Sequence, residues 1–319
     1  IPSLGALIAE PLFLLTDTAM VGHLGASALA SLGLASTILT TIIGLLIFLA
    51  YATTPIVARR LGAGNRPGAL SAGLDGLWLA LGLGTVLGAL GYSVTPQVVS
   101  WFGADPDVSL GAVSYLSISW WGLPGMLLVI AATGLMRGLQ DTRTPLWIAV
   151  GGFSANAGLN ALLIYGLGLG LIGSALGTVV AQWAMAAVFL AIVVREARAH
   201  RVSLSPGLLG IKAAARSGGW LFVRTLSLRV ALIATVLVAT GLGTRELAAW
   251  HIVFTIFSLL ALALDALAIA AQALVGHDLG SGDIPTVRQT TSTSSCLPLF
   301  SGWHRSRSGK FRGSIWGAC

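Results

Sequence analysis

The sequence predicts an all-α integral membrane protein with about eight spanning helices. Hydrophobic residues make up 55% of the 319-residue chain and charged residues only 9%, whereas a soluble domain carries about a quarter charged residues. Mean hydropathy is +0.88. Eight apolar runs fall at 3–22, 33–58, 69–95, 110–136, 144–165, 171–194, 217–241 and 247–276, each long enough for the ~20 residues that cross a bilayer core. The net charge of +7 does not point to nucleic acid, because the basic residues lie between these runs rather than along one face. Cys296 and Cys319 stand in a polar tail without a CxxC or a cysteine–histidine cluster, so neither a disulfide framework nor a zinc site is expected. The chain opens on Ile1 rather than Met, and residues are expected to precede it.

The first run contains "AEPLFLLTDTAMVGHLG", with Glu10 and Asp17 in otherwise lipid-compatible sequence. A carboxylate at that depth is costly unless it faces a cavity or a partner. Arg59, Arg60 and Arg66 follow the second run, and Arg137 and Arg143 follow the fourth. Arg195, Arg198, Arg201, Lys212 and Arg216 follow the sixth. The alternate loops hold Asp105, Asp107, Arg245 and Glu246. Basic residues thus number ten on one side and one on the other, which predicts a cytoplasmic amino terminus.

An internal repeat organises these runs. The 41-residue stretch that begins "LGASALASLGLAST" at Leu24 aligns without a gap with "LGTRELAAWHIVFT" at Leu242, an offset of 218. Identical pairs include Leu24/Leu242, Gly25/Gly243, Thr37/Thr255, Ile38/Ile256, Val57/Val275, Gly62/Gly280 and Gly64/Gly282. With six helices per period, both copies enter the membrane in the same direction, as parallel repeats do. The expected organisation is a six-helix lobe over 1–195, a cytoplasmic linker over 196–216 and the first two helices of a second lobe over 217–283. The repeat calls for a third helix near 287–313, yet that stretch is polar. A reading-frame shift between 284 and 292 is expected to have produced an aberrant tail over 284–319.

The stretches "EPLFLLTDTAMVGHLGASALASLGLA", "GLMRGLQDTRTPL" and "NALLIYGLGLGLIGSALGT" resemble the multidrug and toxic compound extrusion (MATE) family. "LDALAIAAQALVGHDLG" is similar to its DNA-damage-inducible F branch. The resemblance covers about 1–283 and implies two six-helix lobes around a central cleft, of which this chain supplies one lobe and two further helices. It implies a monomeric antiporter of the bacterial cytoplasmic membrane, without a cofactor, that exports cationic, amphiphilic small molecules in exchange for protons or sodium ions. Asp17 matches a first-helix aspartate of the family's cation site, Asn156 a fifth-helix asparagine and Thr178 a sixth-helix threonine. Asn160 departs from the pattern, because relatives have an aspartate there. Pro2 matches a proline linked to bending of the first helix.

Depth along the helices agrees independently. Counted from His23, Gly166 and Gly170, the outer ends of their runs, Asp17, Asn156, Asn160 and Thr178 share the outer half of the membrane within about 6 Å. Such a set either holds a coupling cation or glues helices together. Arg229 and Asp265 share a depth near mid-membrane; they either pair as a salt bridge or leave Asp265 facing substrate. Glu10, beside Pro11, either lines the cleft or caps backbone freed by the proline ring. Asp75 and Arg224 are expected to snorkel toward the cytoplasmic surface. Two other function classes remain as alternatives, a lipid-linked precursor flippase of the wider superfamily and an intramembrane enzyme. The flippase reading calls for several cationic cleft residues, and Arg224 and Arg229 are the intramembrane ones. An enzyme would need a nucleophile and a base at matching depth. Gly168, Gly170 and Gly173 spell G-x-G-x-x-G in a turn between membrane helices, not after a strand, so they do not signal a dinucleotide site.

Overall fold

The computed structural model describes residues 15–242 and 244–291, and among them it contains helices and no strands. The first helix, α1, is described over 15–22. There follow α2 (Ala26–Leu46), α3 (Phe48–Gly62), α4 (Arg66–Ser100), α5 (Pro106–Ser119), α6 (Leu123–Gly138), α7 (Arg143–Ala161), α8 (Gly170–Ala199), α9 (Leu208–Leu242) and α10 (Thr244–Ser281). A last helical stretch, α11, covers 284–291. Among the described residues, six segments are long and apolar enough to cross a membrane: Ala26–Gly62, Arg66–Ser100, Pro106–Gly138, Arg143–Gly166, Gly170–Ala199 and Gly210–Val236.

Several expected runs prove to be composite. The second breaks at Ile47 into α2 and α3, with a tighter turn in which Ala50 N donates to Ile47 O at 3.1 Å. The fourth is α5 and α6 joined by a 3₁₀ turn at Trp120–Gly122. The fifth ends in a widened π turn at Leu162–Gly166, where Leu167 N reaches Leu162 O at 2.9 Å. Observed helices outrun the apolar windows at both ends, because helices continue past the hydrocarbon into polar residues. The connection between α8 and α9 accordingly covers only 200–207.

The hydrophobic core lies among helices α1 to α8, where Leu49, Leu70, Leu116, Leu127, Leu135 and Phe189 are fully buried. One face of α4 is a glycine stripe. A Cβ on Gly84 would meet Pro124 Cα at 2.6 Å, and one on Gly91 would meet the Trp120 ring at 2.6 Å. Small residues let helices approach where hydrophobicity alone cannot draw them together in lipid. Trp120 is buried there, its Nε1 donating to Thr95 Oγ1 at 2.7 Å. Close packing and this bond account for its place.

The 218-residue repeat is visible in backbone detail. Asn65 N donates to Arg60 O at 3.0 Å, and Asp283 N to Asp278 O at 3.0 Å. Gly68 N donates to Asn65 Oδ1 at 2.8 Å, and Thr286 N to Asp283 Oδ1 at 3.1 Å. Ala69 N and Val287 N close the first turns onto Asn65 O and Asp283 O. Gly64 and Gly282 precede the caps at φ +74° and +79°, a conformation that glycine adopts without steric cost. Every partner in the second set is the first shifted by 218. The correspondence persists to Val287, and the stretch expected to be polar tail beyond residue 291 lies outside the described residues.

Candidate functional site

Helices α1, α7 and α8 place the expected polar residues in one buried network. Asp17 is 7% exposed, Asn156 1% and Asn160 0%. Asp17 Oδ1 accepts from Asn160 Nδ2 at 2.8 Å and from Ser174 Oγ at 2.8 Å. Asn160 Nδ2 also donates to Asn156 Oδ1 at 3.1 Å, and Asn156 Nδ2 donates to Thr178 Oγ1 at 3.2 Å. All four expected residues therefore meet. The π turn begins two residues after Asn160, and widened turns recur beside functional side chains.

Sequence reasoning passed over three participants. Ser174 is buried and bonds Asp17 directly. Tyr115, 4% exposed, lies within reach of Ser174, Ser119 and Thr178. Gly177 faces Asn160, so a Cβ there would overlap Asn160 Oδ1. Ser174, Thr178 and Gln182 recur every four residues, which marks one helix face; that stripe was the available signal. Beside the network lies a cavity of about 30 Å³ lined by Tyr115, Ser119, Thr178, Gln182 and neighbouring apolar side chains. A cavity this size admits a water molecule. Asn160 Oδ1 is a buried side-chain oxygen without a hydrogen-bond partner among the described residues. The network thus offers oxygen atoms of carboxylate, amide and hydroxyl type, which suit a proton or a hard cation.

The remaining expectations divide. Asp265 and Arg229 do not pair. Both Asp265 oxygens accept from Tyr51 Oη, at 2.6 and 2.5 Å, and Arg137 lies near enough to feel Asp265 and Tyr51. Arg229 instead lies against Gly44 of α2, where a Cβ would meet its Nη2 at 2.5 Å. Equal depth did not bring the two together, because their side chains leave α9 and α10 in different directions. Asp75 does not snorkel. It is buried and accepts from Gly207 N at 2.8 Å, one of the free N–H groups at the start of α9. Trp78 Nε1 pins the same connection through Leu204 O at 2.9 Å. Glu10 lies outside the described residues, as does Pro2.

A family model described as MatE matches residues 2–162 and 221–303. The chain belongs to the MatE family. MatE relatives include Protein DETOXIFICATION 44, chloroplastic, of Arabidopsis thaliana, 31% identical over 91% of this chain and 57% of that protein. DNA damage-inducible protein F of Escherichia coli is 28% identical over 89% of this chain and 63% of its own length. The chain therefore spans about three fifths of these curated relatives. A MATE crystal structure in the bent conformation superposes with a TM-score of 0.84 at 24% identity, over 94% of this chain and 71% of that one. A MOP superfamily transporter from Pyrococcus furiosus gives 0.80 at 23% identity, over 91% and 65%. The chain is a multi-pass membrane protein of a transporter family, not an enzyme.

Proposed function

We propose that the chain serves secondary antiport, in which cationic or amphiphilic small molecules leave across a bacterial cytoplasmic membrane in exchange for protons or sodium ions. Asp17 is the coupling carboxylate, with Asn156, Asn160 and Thr178 as its partners and Ser174 as a further donor. The observation that carries this reading is the buried Asp17, held by Ser174 and Asn160 beside an amide oxygen that has no hydrogen-bond partner among the described residues. A site built only to glue helices would satisfy its acceptors internally. On this reading the end that carries Arg59, Arg60 and Arg66 faces the cytoplasm, in keeping with the distribution of basic residues.

The test is efflux of a fluorescent cation from vesicles that hold the chain, under an imposed proton or sodium gradient. Asp17→Asn keeps size and hydrogen-bonding capacity but removes the exchangeable charge. It is expected to abolish gradient-driven efflux while the protein remains folded in the membrane. Unchanged efflux in Asp17→Asn would remove Asp17 from the coupling mechanism.

A further inference from the structure

We propose that Gly62, Gly280, Tyr51 and Asp265 form one closing device between the lobes: a pseudo-two-fold backbone clasp at the basic end, fastened further in by a hydrogen bond. The device rests on the two-lobe transporter reading and goes beyond it, because nothing in the Asp17 site requires it.

The clasp follows from two close approaches. A Cβ on Gly62 would overlap the backbone carbonyl of His277, and a Cβ on Gly280 would overlap the backbone carbonyl of Arg59. Gly280 is Gly62 shifted by 218, and His277 is Arg59 shifted by the same number. The two contacts are therefore the same contact made twice, once in each direction. Between them, a Cβ on Gly276 would lie 3.0 Å from Ala58 Cβ. Parallel repeats place their two-fold axis along the membrane normal, and here that axis runs between α3 and α10. Because the opposing atoms are backbone, no side chain can rotate away to make room.

Packing locates the device. Helix α10 packs on α3 more extensively than on any other described element. The contact between α3 and α10 thus runs from Phe48 to Gly62, with α9 packing beside it on α4 and α3 and Arg229 reaching Gly44 of α2 past the break at Ile47. Tyr51 lies eleven residues before Gly62, about 16 Å along the helix. There its hydroxyl spans both oxygens of Asp265 across the interface. Arg137, from the same lobe as Tyr51, lies in the neighbourhood of both. The chemistry is divided accordingly. The glycine contact is uncharged, so the lobes can part there without exposing an ion pair. The Tyr51–Asp265 bond is the directional element that holds them together.

The test places spin labels on Ala63→Cys and Ser281→Cys, both exposed and themselves related by 218, with Cys296 and Cys319 changed to serine. Double electron–electron resonance on the chain in vesicles reads the distance between lobes. The expected result is a single short, narrow distribution. Gly62→Ala and Gly280→Ala each force the helices apart by roughly 1–2 Å to restore van der Waals separation, so each shifts and broadens the distribution, and both do so alike. Tyr51→Phe keeps the ring and its packing and adds a second, longer population. Gly22→Ala and Gly33→Ala have nothing within 4 Å and leave the distribution as in the wild type. An unchanged distribution in both clasp variants overturns the clasp, as does an equal shift from Gly33→Ala. If the clasp variants fail to insert, Tyr51→Phe decides, and a wild-type distribution there overturns the fastening. The same shifts are expected in an Asp17→Asn background, so failure of the coupling reading and failure of the clasp are told apart.

Discussion

Asn160 holds the Asp17 site together. Its Nδ2 serves Asp17 and Asn156 at once, and its Oδ1 is turned toward Gly177. Removing a partner from a buried polar group costs about 1–3 kcal/mol. Asn160→Ala is therefore expected to lower thermal stability by about that amount, read as a fall in the unfolding midpoint of the detergent-solubilised chain, and an unchanged midpoint would contradict the bond. Gly177→Ala drives a methyl group into Asn160 Oδ1 and is expected to lower gradient-driven efflux although it touches no charge; efflux at the wild-type rate would contradict it. Asp17, Asn156, Asn160 and Thr178 were legible because Asp17, Asn156 and Thr178 match the family's cation site, Asn160 stands where relatives carry an aspartate, and all four share a depth. Ser174 and Tyr115 were not, since serine and tyrosine are ordinary in membrane helices and their role depends on which helices meet. Of the two readings left open for Asp265, the pair with Arg229 is not formed, for a related reason: sequence gives depth along a helix but not the direction in which a side chain leaves it.

Helices were legible as apolar runs, and their ends and interruptions less so. The 3₁₀ turn at Trp120 and the π turn at Leu162 leave the apolar pattern unbroken, and the break at Ile47 falls in sequence without a proline there. The repeated cap at the start of α4 and α11 gives a sharper prediction. Thr286 donates to Asp283 through N at 3.1 Å and Oγ1 at 2.7 Å, and these bonds hold the Asp283 carboxyl below its ordinary value of about 3.9. A carboxyl depressed in the folded state contributes stability above the unfolded value and loses it as pH falls through the folded value. Its counterpart, Asn65, does not titrate. Protection of the Thr286 amide against hydrogen exchange is therefore expected to fall below about pH 4 while that of Gly68 holds. Parallel loss at both amides would assign the effect to the whole lobe interface rather than to the cap.

Across the whole molecule, the repeat was the most informative sequence signal, since the second copy repeats the helix end and cap of the first at an offset of 218, although 284–291, expected to belong to the polar tail, is helical. It did not reveal that the two copies meet through the very residues that define it. Gly62 and Gly280 looked like matching helix ends, and only the fold shows each lying against the other copy's backbone. That contact has a consequence for the first lobe alone. A surface that meets its own duplicate is isologous, the geometry of a homodimer built within one chain. Residues 1–199, expressed without the second lobe, carry Gly62 and Arg59 with nothing to cover them and are expected to associate in pairs, Gly62 of one copy against Arg59 of the other. Disulfide-linked dimers of an Ala63→Cys form would report it, and Gly62→Ala should suppress them. A lobe that stays monomeric in both forms would mean that the second copy has diverged into a partner the first can no longer replace.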